Sequence, residues 1–180
     1  YKLQSERITD FSLTREQAIQ QILPLLPSDA LIVSTTGMTS REVFEHRVAT
    51  GECHGRDFLT VGCMGHTSSI AYGLALVKTN RPIVCLDGDG SMLMHLGATA
   101  IQGASNLPNF LHILINNGAH DSVGGQPTVG LQIDLPKVAS ICGYRHVRTT
   151  NSSEEISNHI NTLLALDVGP NLLEIKVRKG

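Results

Sequence analysis

Two short stretches carry residue types on which chemistry can be built. Asp87-Gly88-Asp89-Gly90-Ser91 follows the apolar run Ile83-Val84-Cys85-Leu86, and Asn116-Asn117-Gly118 follows a second run that starts at Phe110. Glycine lets backbone amides approach a bound anion and tolerates positive φ. A carboxylate beside such a turn repels a bare diphosphate unless a divalent cation lies between them. Magnesium takes hard oxygen ligands that it shares with phosphate oxygens. The Asp89 carboxylate, the Asn117 amide oxygen and the Ala119 backbone carbonyl would supply three. Each turn alone has a plainer reading: an acid capping the next helix for the first, a common Asn-Gly turn for the second. Two such turns at the ends of neighbouring strands favour the cation.

The elements that must hold these turns are legible in outline. Thr14 and Gln17 have capping-box spacing ahead of a stripe of Ala18, Ile19, Ile22 and Leu23, which Pro24 and Pro27 end. Short apolar runs predict strands over 30–33, 58–61, 83–86, 110–115, 144–147 and 172–177. Helices are expected over 67–77, 93–103 and 134–141, and from a second capping box at Ser152 and Glu155 to about 166. The alternation predicts an α/β fold of three layers around a largely parallel six-stranded sheet, with ligands at the carboxyl ends of its strands. Ser34-Thr35-Thr36-Gly37 and Gly62-Cys63-Met64-Gly65-His66 fall at two such ends. The polar, glycine-rich stretch 118–130 is the longest candidate for a mobile loop.

Composition sets the outer bounds. The 180 residues fit one domain, 1–180, with 1–12 peripheral. Fourteen basic against sixteen acidic residues give a net charge of -2, so neither nucleic acid nor a membrane surface is an expected partner. No apolar run reaches the roughly 20 residues of a membrane span. Cys53, Cys63, Cys85 and Cys142 have no zinc-ligand spacing, and reduced thiols in a cytoplasmic setting are expected.

The spaced pattern Gly88-Asp89-Gly90 to Asn116-Asn117 resembles the signature of the thiamine-diphosphate enzymes. That resemblance implies a diphosphate-binding (PP-type) domain, with thiamine diphosphate and Mg2+ as cofactors. It places Asp89, Asn117 and Ala119 on the metal, and Gly88, Gly90 and Ser91 against the diphosphate. Further segments are similar to the phosphonopyruvate decarboxylase family: Val33-Ser34-Thr35-Thr36-Gly37-Met38-Thr39-Ser40-Arg41, Asp57-Phe58-Leu59-Thr60-Val61-Gly62, Met64-Gly65-His66 and 116–128. The sulfopyruvate decarboxylases are the near alternative, and a non-catalytic cofactor-binding or assembly subunit is a third.

The resemblance implies decarboxylation of a small 2-oxoacid, 3-phosphonopyruvate to phosphonoacetaldehyde in the first case. It covers only the diphosphate-binding half of such an enzyme. A pyrimidine-binding domain carrying the activating glutamate must come from a partner or a further segment, in a homo- or hetero-oligomer with shared sites. Met64 resembles the apolar residue that props the cofactor, or it is core packing. Thr36, Gly37, Thr39 and Gly65 look like cofactor contacts, with Thr39 otherwise a helix N-cap. For catalysis the candidates are His120, His66 and His54, with His120 and His66 also against the cofactor. For substrate they are Arg41, Gln126 and Thr128; Arg41 otherwise faces solvent, and Gln126 and Thr128 otherwise make subunit contacts.

Overall fold

In the computed structural model, which describes residues 11–180, Thr14 closes the capping box that its spacing predicts. Its hydroxyl accepts from the Gln17 amide at 3.1 Å, and the Gln17 side chain accepts from the Thr14 amide at 3.0 Å. Helix α1 (Arg15–Ile22) buries Ala18, Ile19 and Ile22, and Pro24 turns its end into a 3-10 turn at Leu23–Leu25. Of the stretch expected to be peripheral, residues 1–10 lie outside the described residues.

Along the chain come β1 (Leu31–Ser34), α2 (Met38–Thr50), β2 (Asp57–Leu59), α3 (Thr67–Val77), β3 (Ile83–Gly88), α4 (Asp89–Met94), α5 (Ala98–Gly103) and β4 (Phe110–Asn116). A small hairpin, β5 (Ala119–His120) with β6 (Gln126–Pro127), leads to α6 (Leu135–Ile141), β7 (His146–Thr150), α7 (Ser153–Leu164) and β8 (Asn171–Lys176). The main sheet runs β2-β1-β3-β4-β8-β7, and every pairing in it is parallel.

Helices cover both faces, so the central strands are apolar at nearly every position rather than alternating. On one face Ile19, Ile22, Val43, Ile156 and Ile160 of α1, α2 and α7 pack on Ile32, Leu86, Ile113 and Ile175. On the other, Ala71 and Ala75 of α3 and Leu135 and Ala139 of α6 pack on Val33, Ile83, Leu114 and Leu172. These are the three layers the alternation predicts. The chain leaves β1 toward β2 and returns past β1 to β3, through α2 on one face and α3 on the other. A crevice therefore opens between the carboxyl ends of β1 and β3.

Several local expectations are corrected. Residues 93–103 are not one helix: α4 starts at Asp89, directly after β3, and stops at Met94. The turn at 95–97 re-aims the chain so that Gly103 of α5 abuts the Cys142 backbone at the end of α6. Helix α2 is absent from the sequence pattern because its buried face carries Glu42 and Arg47, which are ion-paired rather than apolar. Its N-cap is Gly37, not Thr39. Strand β7 starts two residues later than expected, because Gly143, at φ 108°, and the Tyr144 amide close α6. The Ser152 hydroxyl caps Glu154, but Glu155 accepts from Thr150 at 2.6 Å instead of completing a capping box. The stretch 118–130 is not loop throughout: the β5–β6 hairpin and a 3-10 turn at Asp121–Val123 organise its first half.

Candidate functional site

The crevice is a cleft whose wall includes Thr36, Thr39, Met64, Gly88, Asp89, Gly90, Ser91, Asn117, Ala119 and His120. Ten of the residues singled out from the sequence thus meet on one surface, at the ends of four adjacent strands, β2, β1, β3 and β4.

The exit of β1 supplies an anion seat. The Ser40 hydroxyl donates to the carbonyls of Thr35 at 2.7 Å and Ser34 at 3.2 Å, and the Thr36 hydroxyl donates to the Val61 carbonyl at 2.5 Å. Gly37 stands at φ 92°, and a Cβ there would lie 2.9 Å from Ser122 Oγ, so glycine is required twice over. No side chain among the described residues caps α2, which leaves the first-turn amides of a thirteen-residue helix at the cleft. The buried Thr35 hydroxyl beside them has no hydrogen-bond partner among the described residues.

The exit of β3 supplies the carboxylate. Asp89 opens α4 at 2% exposure, and its partners are neutral: the Thr128 hydroxyl and backbone amides of the turn. Burial holds its carboxyl above the ordinary carboxylate range, against the opposing pull of those donors and of His120. Gly90 lets the His120 imidazole lie close against the turn, where a Cβ would overlap the ring. The Gly65 amide donates to Ser91 Oγ at 3.2 Å, which ties the loop carrying Met64 to the same turn.

At the exit of β4 the paired asparagines divide their work. Asn116 is structural: its amide donates to Glu174 at 2.7 Å and to the Gly130 carbonyl at 2.9 Å. Asn117 faces the cleft, with Oδ1 accepting from the Ala119 amide at 3.0 Å and Nδ2 donating to Asp121 at 2.6 Å. Because Nδ2 is committed to a carboxylate, the amide cannot flip, and Oδ1 keeps its remaining lone pair for the cleft.

Other sequence candidates lie elsewhere. His54 precedes β2 at the opposite, amino end of the sheet and stacks on Phe44 at 4.5 Å. Arg41 is exposed on α2 and Gln126 is exposed on β6. His66 is exposed at the start of α3, its ring edge-on to His95 at 4.0 Å. Thr128 is engaged with Asp89.

Sequence reasoning passed over four supporting residues. Arg15 and Asp121 also line the cleft. A signal for Arg15 exists: a cation in the first turn of a helix opposes the helix dipole, so its position asks for a tertiary partner. Glu174 and His112 are single polar residues inside apolar strands. Asp87, the first acid of the glycine turn, faces the core rather than the cleft. Its Oδ1 accepts from the Gly88 amide at 2.9 Å, and its Oδ2 lies 3.4 Å from His112 Nε2. His112 Nδ1 stands 3.1 Å from the Tyr144 hydroxyl, which donates to Gln102 at 2.8 Å.

The donor set fits a hard divalent cation. Among the described residues it offers a buried carboxylate met by neutral hydrogen-bond donors, a fixed amide oxygen, and an uncapped helix end for the anion that such a cation would carry.

Known proteins resemble this chain in sequence and in fold. The family model described as "Thiamine pyrophosphate enzyme, C-terminal TPP binding domain" matches residues 36–175. A phosphonopyruvate decarboxylase of Streptomyces viridochromogenes is 44% identical over 167 residues, which cover 93% of this chain and 40% of that one. A sulfopyruvate decarboxylase subunit beta of Methanothermobacter thermautotrophicus is 34% identical over 168 residues, covering 93% and 84%. The chain spans about two fifths of the phosphonopyruvate decarboxylases it matches and most of that beta subunit. Among solved structures, a thiamine diphosphate-dependent 4-hydroxybenzoylformate decarboxylase of Rhodococcus jostii RHA1 shares the fold, with a TM-score of 0.77 at 20% identity over 96% of this chain and 34% of that one. No helix among the described residues is long and apolar enough to cross a membrane.

Proposed function

The chain belongs to the thiamine pyrophosphate enzymes as a C-terminal TPP-binding domain, and from that premise we propose that it forms the diphosphate-binding half of a 2-oxoacid decarboxylase. The preferred substrate is 3-phosphonopyruvate, with phosphonoacetaldehyde and carbon dioxide as products. The carrying observation is the pairing of buried Asp89 with the amide-locked Asn117 at the ends of adjacent strands. When bound, thiamine diphosphate supplies the electron sink that decarboxylation of a 2-oxo acid requires.

In this reading all of 1–180 is one diphosphate-binding domain. Asp89, Asn117 and the Ala119 carbonyl hold Mg2+. The open amides at the start of α2, with Thr36, Gly37, Thr39, Gly90 and Ser91, receive the diphosphate. Met64 and Gly65 shape the wall next to it. His120, set over Gly90, is the candidate to hold or move a proton at the reacting centre.

The cleft is one wall of a larger site. Its cavity volume is about 60 Å³, well short of the roughly 300–1,000 Å³ of pockets that enclose whole ligands. A pyrimidine-binding domain, in a partner subunit or a further segment, completes it in a homo- or hetero-oligomer. Phosphonopyruvate is preferred over sulfopyruvate because the phosphonopyruvate decarboxylases are the more similar relatives, at 44% and 41% identity against 31–36%.

The test is release of carbon dioxide and aldehyde by the native protein with any copurifying chain retained. Phosphonopyruvate, sulfopyruvate and pyruvate are compared, with and without thiamine diphosphate and Mg2+. Turnover of phosphonopyruvate that needs both additions is the expected result. Preference for sulfopyruvate replaces the substrate, and no turnover of any of them with the pyrimidine-binding domain present overturns the assignment.

A further inference from the structure

Arg15 lies more than seventy residues from the nearest part of the glycine turn, yet it reaches the cleft. From the first position of α1 its Nε and Nη2 grip both oxygens of Glu42 at 2.9 Å each, and its Nη1 donates to Asp121 Oδ2 at 2.6 Å. That same Asp121 oxygen accepts from Asn117 Nδ2 at 2.6 Å. Side chains from α1, α2 and the hairpin turn thus form one chain of contacts that ends on the amide expected to face the cation.

All three charged members are nearly sealed from water, with Arg15, Glu42 and Asp121 side chains 12%, 9% and 8% exposed. Burial by itself would make the guanidinium easier to deprotonate, but the two carboxylates outweigh it and hold Arg15 above its ordinary value. The second oxygen of Asp121 is buried with no hydrogen-bond partner among the described residues, so the contacts at Oδ2 are what hold this carboxylate in place. One guanidinium against two carboxylates, with Asp89 across the cleft, leaves two net negative charges, the complement of a single divalent cation. A guanidinium is the side chain for this post, because its planar fork serves two carboxylates at once and an ammonium does not.

We propose that Arg15 is a positioning residue for the cation site: by gripping Glu42 and holding Asp121 in place it locks the Asn117 amide with Oδ1 turned to the metal. The inference rests on the cation reading of Asp89 and Asn117 given above. Partners that orient a metal ligand are worth roughly 10–100-fold in metal affinity.

Calorimetric titration of the native protein with thiamine diphosphate, over a series of Mg2+ concentrations, tests it. Melting curves without cofactor or metal report the fold separately. Arg15→Met is expected to raise the Mg2+ needed for half-saturation by about tenfold, with far-UV circular dichroism unchanged. Arg15→Lys, which keeps the charge and loses the fork, should fall between; it also carries the comparison if Arg15→Met melts below the titration temperature. In an Asp121→Ala background Arg15→Met should add nothing further.

A purely structural staple between α1 and α2 would show as lowered melting in Arg15→Met with the Mg2+ requirement of the wild type, and that result overturns the proposal. Asp89→Ala separates the two levels. Loss of Mg2+ dependence there with none in Arg15→Met sinks the positioning role alone. An unchanged Mg2+ requirement in Asp89→Ala sinks the cation reading and the positioning role with it.

Discussion

The hydroxyl of Thr128 donates to Oδ2 of Asp89, so a residue from the far end of the hairpin sits on the carboxylate at the heart of the cleft. The same hydroxyl accepts from the Gly130 amide at 3.1 Å, which fixes its direction. The bond favours the ionised acid, opposing the burial that raises its pKa. Thr128→Val should therefore raise the Asp89 pKa further. The pH below which Mg2+-dependent binding is lost should move up with it, and binding measured from pH 8 downward in both proteins checks this. A midpoint shared by wild type and variant would deny the bond any role.

Asp89 itself should work against the stability of the empty chain. Its folded pKa lies above its unfolded one, so the folded state binds the proton more tightly. Ionisation then opposes folding: the cost sets in as pH rises past the ordinary carboxylate value and is complete above the raised one. Asp89→Asn keeps an oxygen for Thr128 and removes the charge. Without cofactor or metal it should be more stable than wild type by about 1 kcal/mol at neutral pH. The difference should shrink toward about pH 3, where the wild-type carboxyl is protonated. Denaturant melts at the two pH values read it directly.

Gly90 and His120 form a second testable pair. A methyl group at Gly90 would overlap the imidazole, which can yield only by swinging away from the turn. Gly90→Ala should leave the fold intact and reduce turnover about as much as His120→Ala, on the order of 100-fold for a lost proton-transfer group. The double variant should be no worse than either single one. Additive losses in kcat/KM would mean that the ring position does not matter.

Glu174 should matter beyond its own strand. It is 1% exposed and accepts from Asn116 and, at 2.9 Å, from the Thr149 hydroxyl, with Lys176 3.6 Å away. Glu174→Leu leaves one buried N–H of Asn116 without its acceptor, while the exposed Thr149 hydroxyl turns to water, and should cost about 2 kcal/mol. Glu174→Gln retains an acceptor and should cost less. Cofactor affinity should fall with stability in the first and hold in the second, since Asn116 anchors the Gly130 carbonyl beside Asp89.

What the sequence made legible, and what it did not, follows from where the information resides. Asp89 and Asn117 could be read because each follows a buried strand within a few residues, and a parallel sheet brings such ends together. The apolar strands announced themselves by composition. Helix α2 did not, because Glu42 and Arg47 spoil its apolar stripe and are satisfied by partners outside the helix. His54 looked like a candidate on residue type, but only the direction of β2 reveals that it sits at the wrong end of the sheet. Thr128 was read as a substrate contact, and its engagement with Asp89 depends on a hairpin fold that glycine content alone does not predict. Arg15 was visible only as part of a cap; its three-point grip is purely tertiary.

The order of strands has a consequence for synthesis. Strand β8 comes after β7 in the chain yet inserts between β4 and β7. A nascent chain emerging from the ribosome therefore holds Asp89, Asn117 and their loops long before Glu174 arrives to brace Asn116. Until that last insertion β4 has an open edge, and long-range parallel pairing of this kind forms slowly. Retention on an immobilised diphosphate should therefore report complete assembly of the sheet rather than helix content.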